Sequence, residues 1–250
     1  MTRNFTSRLR QKDLLIGTML TIPAPEVAEM VARCDFDWLF MDGEHSPLSM
    51  LDWQRLIQAV GGRCASILRV PSASERDIKK ALDIGADGII APMVNDAEQA
   101  RRVVGWSKYP PRGQRGVGLA RAQGYGLEFA DYLSSANDDT AVIIQAEHID
   151  AIENIDEIAR VDGLDAVFIG PYDLSASMGK TGEVDDPEVV AAIAEVTRAC
   201  LRNKLALGYF GLNADSVRPY IDRGYNLICA GVDAGFVTGG ASEILQDLKA

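Results

Sequence analysis

Apolar residues along this chain fall into short continuous runs separated by longer amphipathic stretches. Short runs bounded by turn residues read as buried strands, and stretches with apolar positions three and four apart read as helices packed on them. Runs at residues 14–20, 38–41, 66–70, 88–91, 141–146, 166–169, 206–210 and 227–230 predict eight strands. Helical periodicity occupies residues 24–33, 49–60, 75–83, 97–107, 151–160, 188–203, 214–223 and 234–248. Ser74 stands where it can cap one of these helices, and Gly85 and Gly224 follow helix ends that need a left-handed residue. Strict strand–helix alternation predicts a parallel sheet. Eight such units in 250 residues predict an α/β fold, a single-domain (β/α)8 TIM barrel over residues 1–250, rather than an open doubly wound sheet.

No linker divides the chain. One long irregular stretch, residues 108–126, follows the fourth strand and its helix, so it is expected at the N-terminal face or against a neighbouring subunit. Its Arg112, Arg115 and Arg121 either bind an anion or only bridge subunits, and the structural role is the expectation.

Charge and composition narrow the function. Lys and Arg total 25 against 36 Asp and Glu, a net charge of −11, which offers no footprint for nucleic acid or an anionic membrane. No apolar run approaches the roughly 20 residues of a membrane span, and the polar, basic first residues lack the apolar region of a secretory signal. Cys34, Cys64, Cys200 and Cys229 form no C-x-x-C pair and read as free thiols of a reducing, cytoplasmic compartment.

In a barrel the chemistry lies just past each strand, at the C-terminal face. There this chain places Asp42-Gly-Glu-His45, Arg69-Val-Pro71, Gln145-Ala-Glu-His148 and Gly170-Pro-Tyr-Asp173. Charged groups in such half-buried places are costly unless paired or bound to a metal. Alternation along the fifth strand puts Gln145 and Glu147 on one face and turns His148 away, towards packing or a supporting role. Glu147 and Asp173 are candidate ligands for a divalent cation such as Mg2+ or Mn2+; the alternative is that they pair with Arg69. His45 carries an imidazole, the side chain suited to proton transfer at neutral pH, and sits on a turn, either presenting an acid–base group or lying in solvent. Asp83, taken alone, is a helix-end acid. None of the seven lysines falls in a strand or at its C-terminal end, which argues against a Schiff-base mechanism. No G-x-G-x-x-G follows the first strand and no P-loop occurs, so nothing supports a nucleotide or other organic cofactor.

Four segments in order, Phe36-Asp-Trp-Leu-Phe-Met-Asp-Gly-Glu-His45, Ile84-Gly-Ala-Asp-Gly-Ile-Ile-Ala-Pro-Met93, Tyr109-Pro-Pro-Arg-Gly-Gln-Arg-Gly116 and Phe168-Ile-Gly-Pro-Tyr-Asp-Leu-Ser175, resemble the metal-dependent (class II) pyruvate aldolases. The nearest group is the 4-hydroxy-2-oxoheptanedioate and 2-keto-3-deoxy-sugar-acid aldolases, and the resemblance runs from about Gly17 to the last helix. It implies reversible cleavage of a 4-hydroxy-2-oxo acid to pyruvate and an aldehyde through a metal-bound pyruvate enolate. It also implies Mg2+, Mn2+ or Co2+ on Glu147 and Asp173, with Arg69 stabilising the enolate and His45 transferring the proton. Asp83 would raise the basicity of His45, while Gln145 and the backbone at Tyr172–Asp173 would touch substrate. A homohexamer with exchanged C-terminal helices is implied as well, for which the apolar segment 236–248 is suited. The chain departs from many of these relatives at Ala146-Glu147-His148, at Tyr172 and at Gly208-Tyr-Phe-Gly211. A related lyase acting on a coenzyme A thioester would need a basic nucleotide patch, which the sequence does not display. A non-catalytic barrel binding 2-oxo acids would not need His45.

Overall fold

The computed structural model describes residues 5–250. Eight parallel strands close into a barrel in chain order: β1 Leu15–Leu20, β2 Trp38–Asp42, β3 Ala65–Arg69, β4 Gly88–Ala91, β5 Ala141–Ala146, β6 Ala166–Ile169, β7 Ala206–Gly211 and β8 Leu227–Val232. Each lies within two residues of the run that predicts it. Around them lie α1 Phe5–Gln11, α2 Pro25–Val31, α3 Met50–Val60, α4 Glu75–Asp83, α5 Ala97–Ser107, α6 Phe129–Asp139, α7 Ile149–Glu153, α8 Ile155–Ile158, α9 Pro171–Ser177, α10 Pro187–Arg202, α11 Ala214–Ile221 and α12 Asp233–Lys249. Ser74 accepts a hydrogen bond from the Asp77 N–H to cap α4, and Gly85 and Gly224 adopt φ of +91° and +92°.

Strand alternation sorts the side chains into two cores. Trp38, Phe40, Ile67, Ile90, Ile143, Phe168 and Cys229 fill the barrel interior, while Leu39, Leu68, Ile89, Ile144 and Tyr209 face the helices. The Phe40 and Phe168 rings meet edge to face at 5.6 Å and close the interior beneath the C-terminal mouth.

Three elements depart from the sequence expectation. A single helix over 151–160 is expected, but the chain breaks at Asn154, whose side-chain N–H groups donate to the Asn95 and Asp150 carbonyls and hold it out of helical geometry. α6 lies in a stretch with weak apolar periodicity; the buried Lys108 donates to the Asn137 and Thr140 carbonyls at its C-terminal end, at 2.8 and 2.6 Å. α1 comes from the polar N-terminal stretch and buries Phe5 and Leu9 against the open bottom of the barrel.

A polar ring completes that bottom face. The residue just before each even-numbered strand accepts the backbone N–H at the second position of the preceding strand. Asp37 takes Ile16 at 2.9 Å, Asp87 takes Ser66 and Asp165 takes Val142 at 2.8 Å, and Asn226 takes Leu207 at 3.2 Å. α1 reinforces the ring through Arg8–Asp37 and Arg10–Asp165, each at 2.7 Å. Residues 108–126 belong to this end too. Arg115 is buried and pairs with Asp83 at 2.7 Å, Arg121 donates to the Ile84 carbonyl, and Arg112 pairs with Asp138. All three arginines of the loop find partners within the chain. Among the described residues no helix is long and apolar enough to cross a membrane.

Candidate active site

The C-terminal ends of the strands surround a cavity of about 370 Å3. Inward alternation makes Asp42, Arg69 and Gln145 the last core-facing residues of β2, β3 and β5, and Phe210 and Val232 those of β7 and β8. His45, Tyr172 and Asp173 reach the same cavity from the loops and helix that follow β2 and β6.

Arg69 is buried, and its ion pairs settle its position. Its Nε and Nη2 lie 2.9 and 2.8 Å from Asp42 Oδ1, and its Nη1 lies 3.2 Å from Glu44 Oε2. The pairing with Glu147 or Asp173 weighed from the sequence is not what forms. Asp42 Oδ1 also accepts the Glu44 and His45 N–H groups, so one buried carboxylate fixes both the guanidinium and the turn carrying the imidazole. Burial raises the Glu44 carboxyl above its usual value, and the nearby Arg69 charge opposes that rise. The exposed His45 ring has its Nε2 4.0 Å from Glu44 Oε2.

Glu147 follows β5, is buried, and touches the cavity-lining Gln145 without lining the cavity itself. Its Oε1 accepts the Met93 N–H at 2.7 Å and its Oε2 accepts from Gln145 Nε2. Burial pushes the Glu147 carboxyl up to about 7; the Met93 N–H opposes this, and the charges of Glu44 and Asp173 add to it. The Gln145 Oε1 is buried without a partner. Gly170 leaves the space this packing needs, since a Cβ there would stand 2.6 Å from Gln145 Nε2 and 3.1 Å from Glu147 Oε2.

These donors fit a hard divalent cation. Oxygen ligands of mutually repelling carboxylates, together with an unpartnered amide oxygen, are the set that Mg2+ or Mn2+ accepts, whereas sulfur and imidazole are absent from it. Among the described residues no three His, Cys, Asp or Glu side chains converge on one point.

Within one chain Asp83 and His45 do not meet. The resemblance implies a role for Asp83 in raising the basicity of His45; in this chain it ends α4, and a helix returning between parallel strands ends at the opposite face of the barrel. Its partner there is Arg115. His148 is clear of the cavity and caps α7, its Nδ1 accepting the Asp150 N–H at 3.2 Å. Asp42 and Glu44, which position Arg69, are absent from the sequence-level site; their signal was two acids flanking Gly43 at a strand end. No lysine lines the cavity.

Comparison with known proteins matches residues 17–238 to the family model described as HpcH/HpaI aldolase/citrate lyase. The chain is 38% identical over 248 residues to a hydroxypyruvate/pyruvate aldolase of Cupriavidus necator, covering 98% of this chain and 92% of that protein. It is 38% identical over 236 residues to 2-keto-3-deoxy-L-rhamnonate aldolases of Escherichia coli, covering 93% of this chain and 88% of theirs. A crystal structure of an HpcH/HpaI aldolase/citrate lyase family protein from Burkholderia cenocepacia superposes with a TM-score of 0.94 at 31% identity, covering 98% of each chain.

Proposed function

The chain belongs to the HpcH/HpaI aldolase/citrate lyase family, and from that premise we propose how its mouth works as a pyruvate aldolase. It is a carbon–carbon lyase that reversibly cleaves a 4-hydroxy-2-oxo acid to pyruvate and an aldehyde. The observation that carries the assignment of residues is one cavity bringing together a fixed guanidinium, an exposed imidazole, an unpartnered amide oxygen and Asp173, with the buried Glu147 in contact with Gln145. Glu147 and Asp173 would hold a divalent cation, with Mg2+, Mn2+ and Co2+ as candidates. When bound, it supplies Lewis-acid polarisation of the 2-oxo acid.

Arg69 faces the keto oxygen of the substrate, where negative charge grows as the C3–C4 bond breaks. Held by Asp42 and Glu44, it needs no reorganisation at that moment, and such prepositioned donors are each worth about 3–4 kcal/mol. His45 takes the C4 hydroxyl proton in cleavage and returns it in the aldol direction. Its position on the exposed turn gives it access to both substrate and solvent. The Gln145 side chain and the backbone at Tyr172 and Asp173 orient the 2-oxo acid. Phe40 and Phe168 keep water from the floor.

We also propose a cytoplasmic homo-oligomer, of hexameric order, in which α12 docks on a partner subunit. Every residue from 234 to 250 is exposed, including Phe236, Val237, Ile244, Leu245 and Leu248. Removal of residues 236–250 should lower the assembly size in light scattering. The test of the catalytic reading is pyruvate release from a 4-hydroxy-2-oxo acid. It should vanish on chelation, return with Mg2+, Mn2+ or Co2+, and leave no reduced lysine adduct with borohydride. Full activity after thorough chelation would overturn the cation's place at Glu147 and Asp173.

A further inference from the structure

The charged groups of the mouth occupy one arc of the barrel. β2, β3, β5 and β6 bring Asp42, His45, Arg69, Gln145 and Asp173, whereas β7, β8 and β1 bring Phe210, Val232 and Met19. Because the barrel is closed, these last three strands are contiguous, and their side chains form one hydrocarbon wall facing the charged arc. Thr21 is the polar side chain on that wall, and its hydroxyl is already committed. It donates at 2.7 Å to Asp233, a buried carboxylate that also accepts the Thr21, Ile22 and Ala234 N–H groups. Thr21 Oγ1 therefore offers only an acceptor to the cavity, with negative charge directly behind it. The cavity's two cationic or titratable basic side chains, Arg69 and His45, both belong to the opposite arc.

We propose that the wall of Phe210, Val232 and Met19 seats the aldehyde half of the substrate and selects an uncharged aldehyde with a hydrocarbon or aromatic substituent. This deepens the aldolase reading and rests on it. The 2-oxo acid half carries the carboxylate and takes the arc that holds Arg69 and Gln145. The remainder of the cavity is then bounded by the apolar wall. A second carboxylate placed there would lose its hydration without gaining a cation, and would face an acceptor oxygen backed by Asp233. A substituent without charge buries its carbons against three apolar side chains and meets one acceptor suited to a hydroxyl. Discrimination of about tenfold or more is the scale that one or two buried methylenes supply.

The experiment uses the full-length enzyme with Mg2+ or Mn2+ and pyruvate in deuterated water. Exchange of the pyruvate methyl protons without aldehyde reads the enolate chemistry alone. Carboligation with butanal and with succinic semialdehyde, which share a four-carbon chain and differ in the terminal carboxylate, reads the wall. Exchange together with kcat/KM for butanal at least tenfold above that for succinic semialdehyde is the expected result. Exchange with equal or better use of succinic semialdehyde overturns the selectivity and leaves the aldolase reading standing. Absence of exchange with either metal overturns that reading, and the inference falls with it. Val232→Arg should shift the ratio towards succinic semialdehyde, and Phe210→Arg provides the cation from the adjacent strand should the first variant not fold. A folded variant with an unchanged ratio would remove the wall from aldehyde selection.

Discussion

At the N-terminal end of the barrel Asp37, Asp165 and Asn226 each accept a strand N–H and each find a second partner in the N-terminal segment: Arg8, Arg10, and the Leu9 and Asp13 carbonyls. At the C-terminal end Gln145 keeps an oxygen without a partner, and Glu147 sits near Glu44 and Asp173 with its carboxyl pushed up to about 7. Both ends bury polar groups in the same sheet. The ring of Asp37, Asp165 and Asn226 is satisfied within the chain, whereas the mouth leaves an acceptor oxygen and like charges together, the arrangement typical of a site that a ligand completes.

This contrast predicts that substitutions at the two ends fail in different ways. The largest effects belong to the mouth. His45→Ala should slow turnover by about 10²–10⁴-fold with little change in melting temperature, because the ring is exposed and anchors nothing. Arg69→Ala should cost about 10²–10³-fold in kcat and slow pyruvate proton exchange. It should also destabilise the fold, since it strands the buried Asp42 carboxylate. Arg69→Lys should rescue only partly, because a point charge cannot reproduce the planar fork on Asp42 and Glu44. A folded Arg69→Ala enzyme exchanging pyruvate protons at the wild-type rate would reduce Arg69 to a structural ion pair.

Asn226→Asp tests the other end. The asparagine both accepts from Leu207 and donates to the Leu9 and Asp13 carbonyls, at 3.4 and 3.3 Å. An aspartate keeps the acceptor, loses the donor and sets a charge against two carbonyl oxygens. Urea denaturation should show a loss of about 1–3 kcal/mol, while kcat of the folded enzyme stays at wild type. A fall in kcat without a fall in stability would erase the division of labour between the faces.

The smallest effect is a pH dependence at Asp87, where burial pushes the carboxyl up to about 6 and the Ser66 N–H partly opposes it. A folded-state value above the ordinary carboxylate range means that the folded protein holds this proton more tightly than the unfolded chain. The resulting stabilisation is complete below the ordinary range and is lost as pH rises through about 6. Asp87→Asn, which keeps an acceptor for Ser66, should flatten that part of the profile. Urea midpoints at pH 5 and pH 7.5 for both proteins provide the check, and identical slopes would discard the assignment.

Much of this molecule was legible in its sequence because local signals and tertiary demands coincide. Apolar runs must be strands when helices cover both flanks, and alternation within 141–146 carries Ala141, Ile143 and Gln145 inward together. The place of these side chains was legible for the same reason: Arg69 and Gln145 stand at the ends of apolar runs and Asp173 lies four residues past another, so their position at the mouth follows from strand order. The bottom ring had a signal as well, an acid or amide just before each even-numbered strand, but it becomes meaningful only when the neighbouring strand's N–H is known to point at it.

The pairings were decided only by the tertiary structure. Arg69 lies near several carboxylates in any barrel built from this sequence, and register between β2 and β3, which sets Asp42 opposite Arg69, selects its partner. Asp83 reads in one dimension as a helix-end acid, and the reversal of α4 carries it to the face opposite the mouth and into the reach of Arg115, a residue 32 positions away. Periodicity fixes which face a residue occupies because it depends on neighbours along the chain. Which charges meet, and which oxygen is left without a partner, depends on closure of the barrel, where contacts between distant segments set the energies.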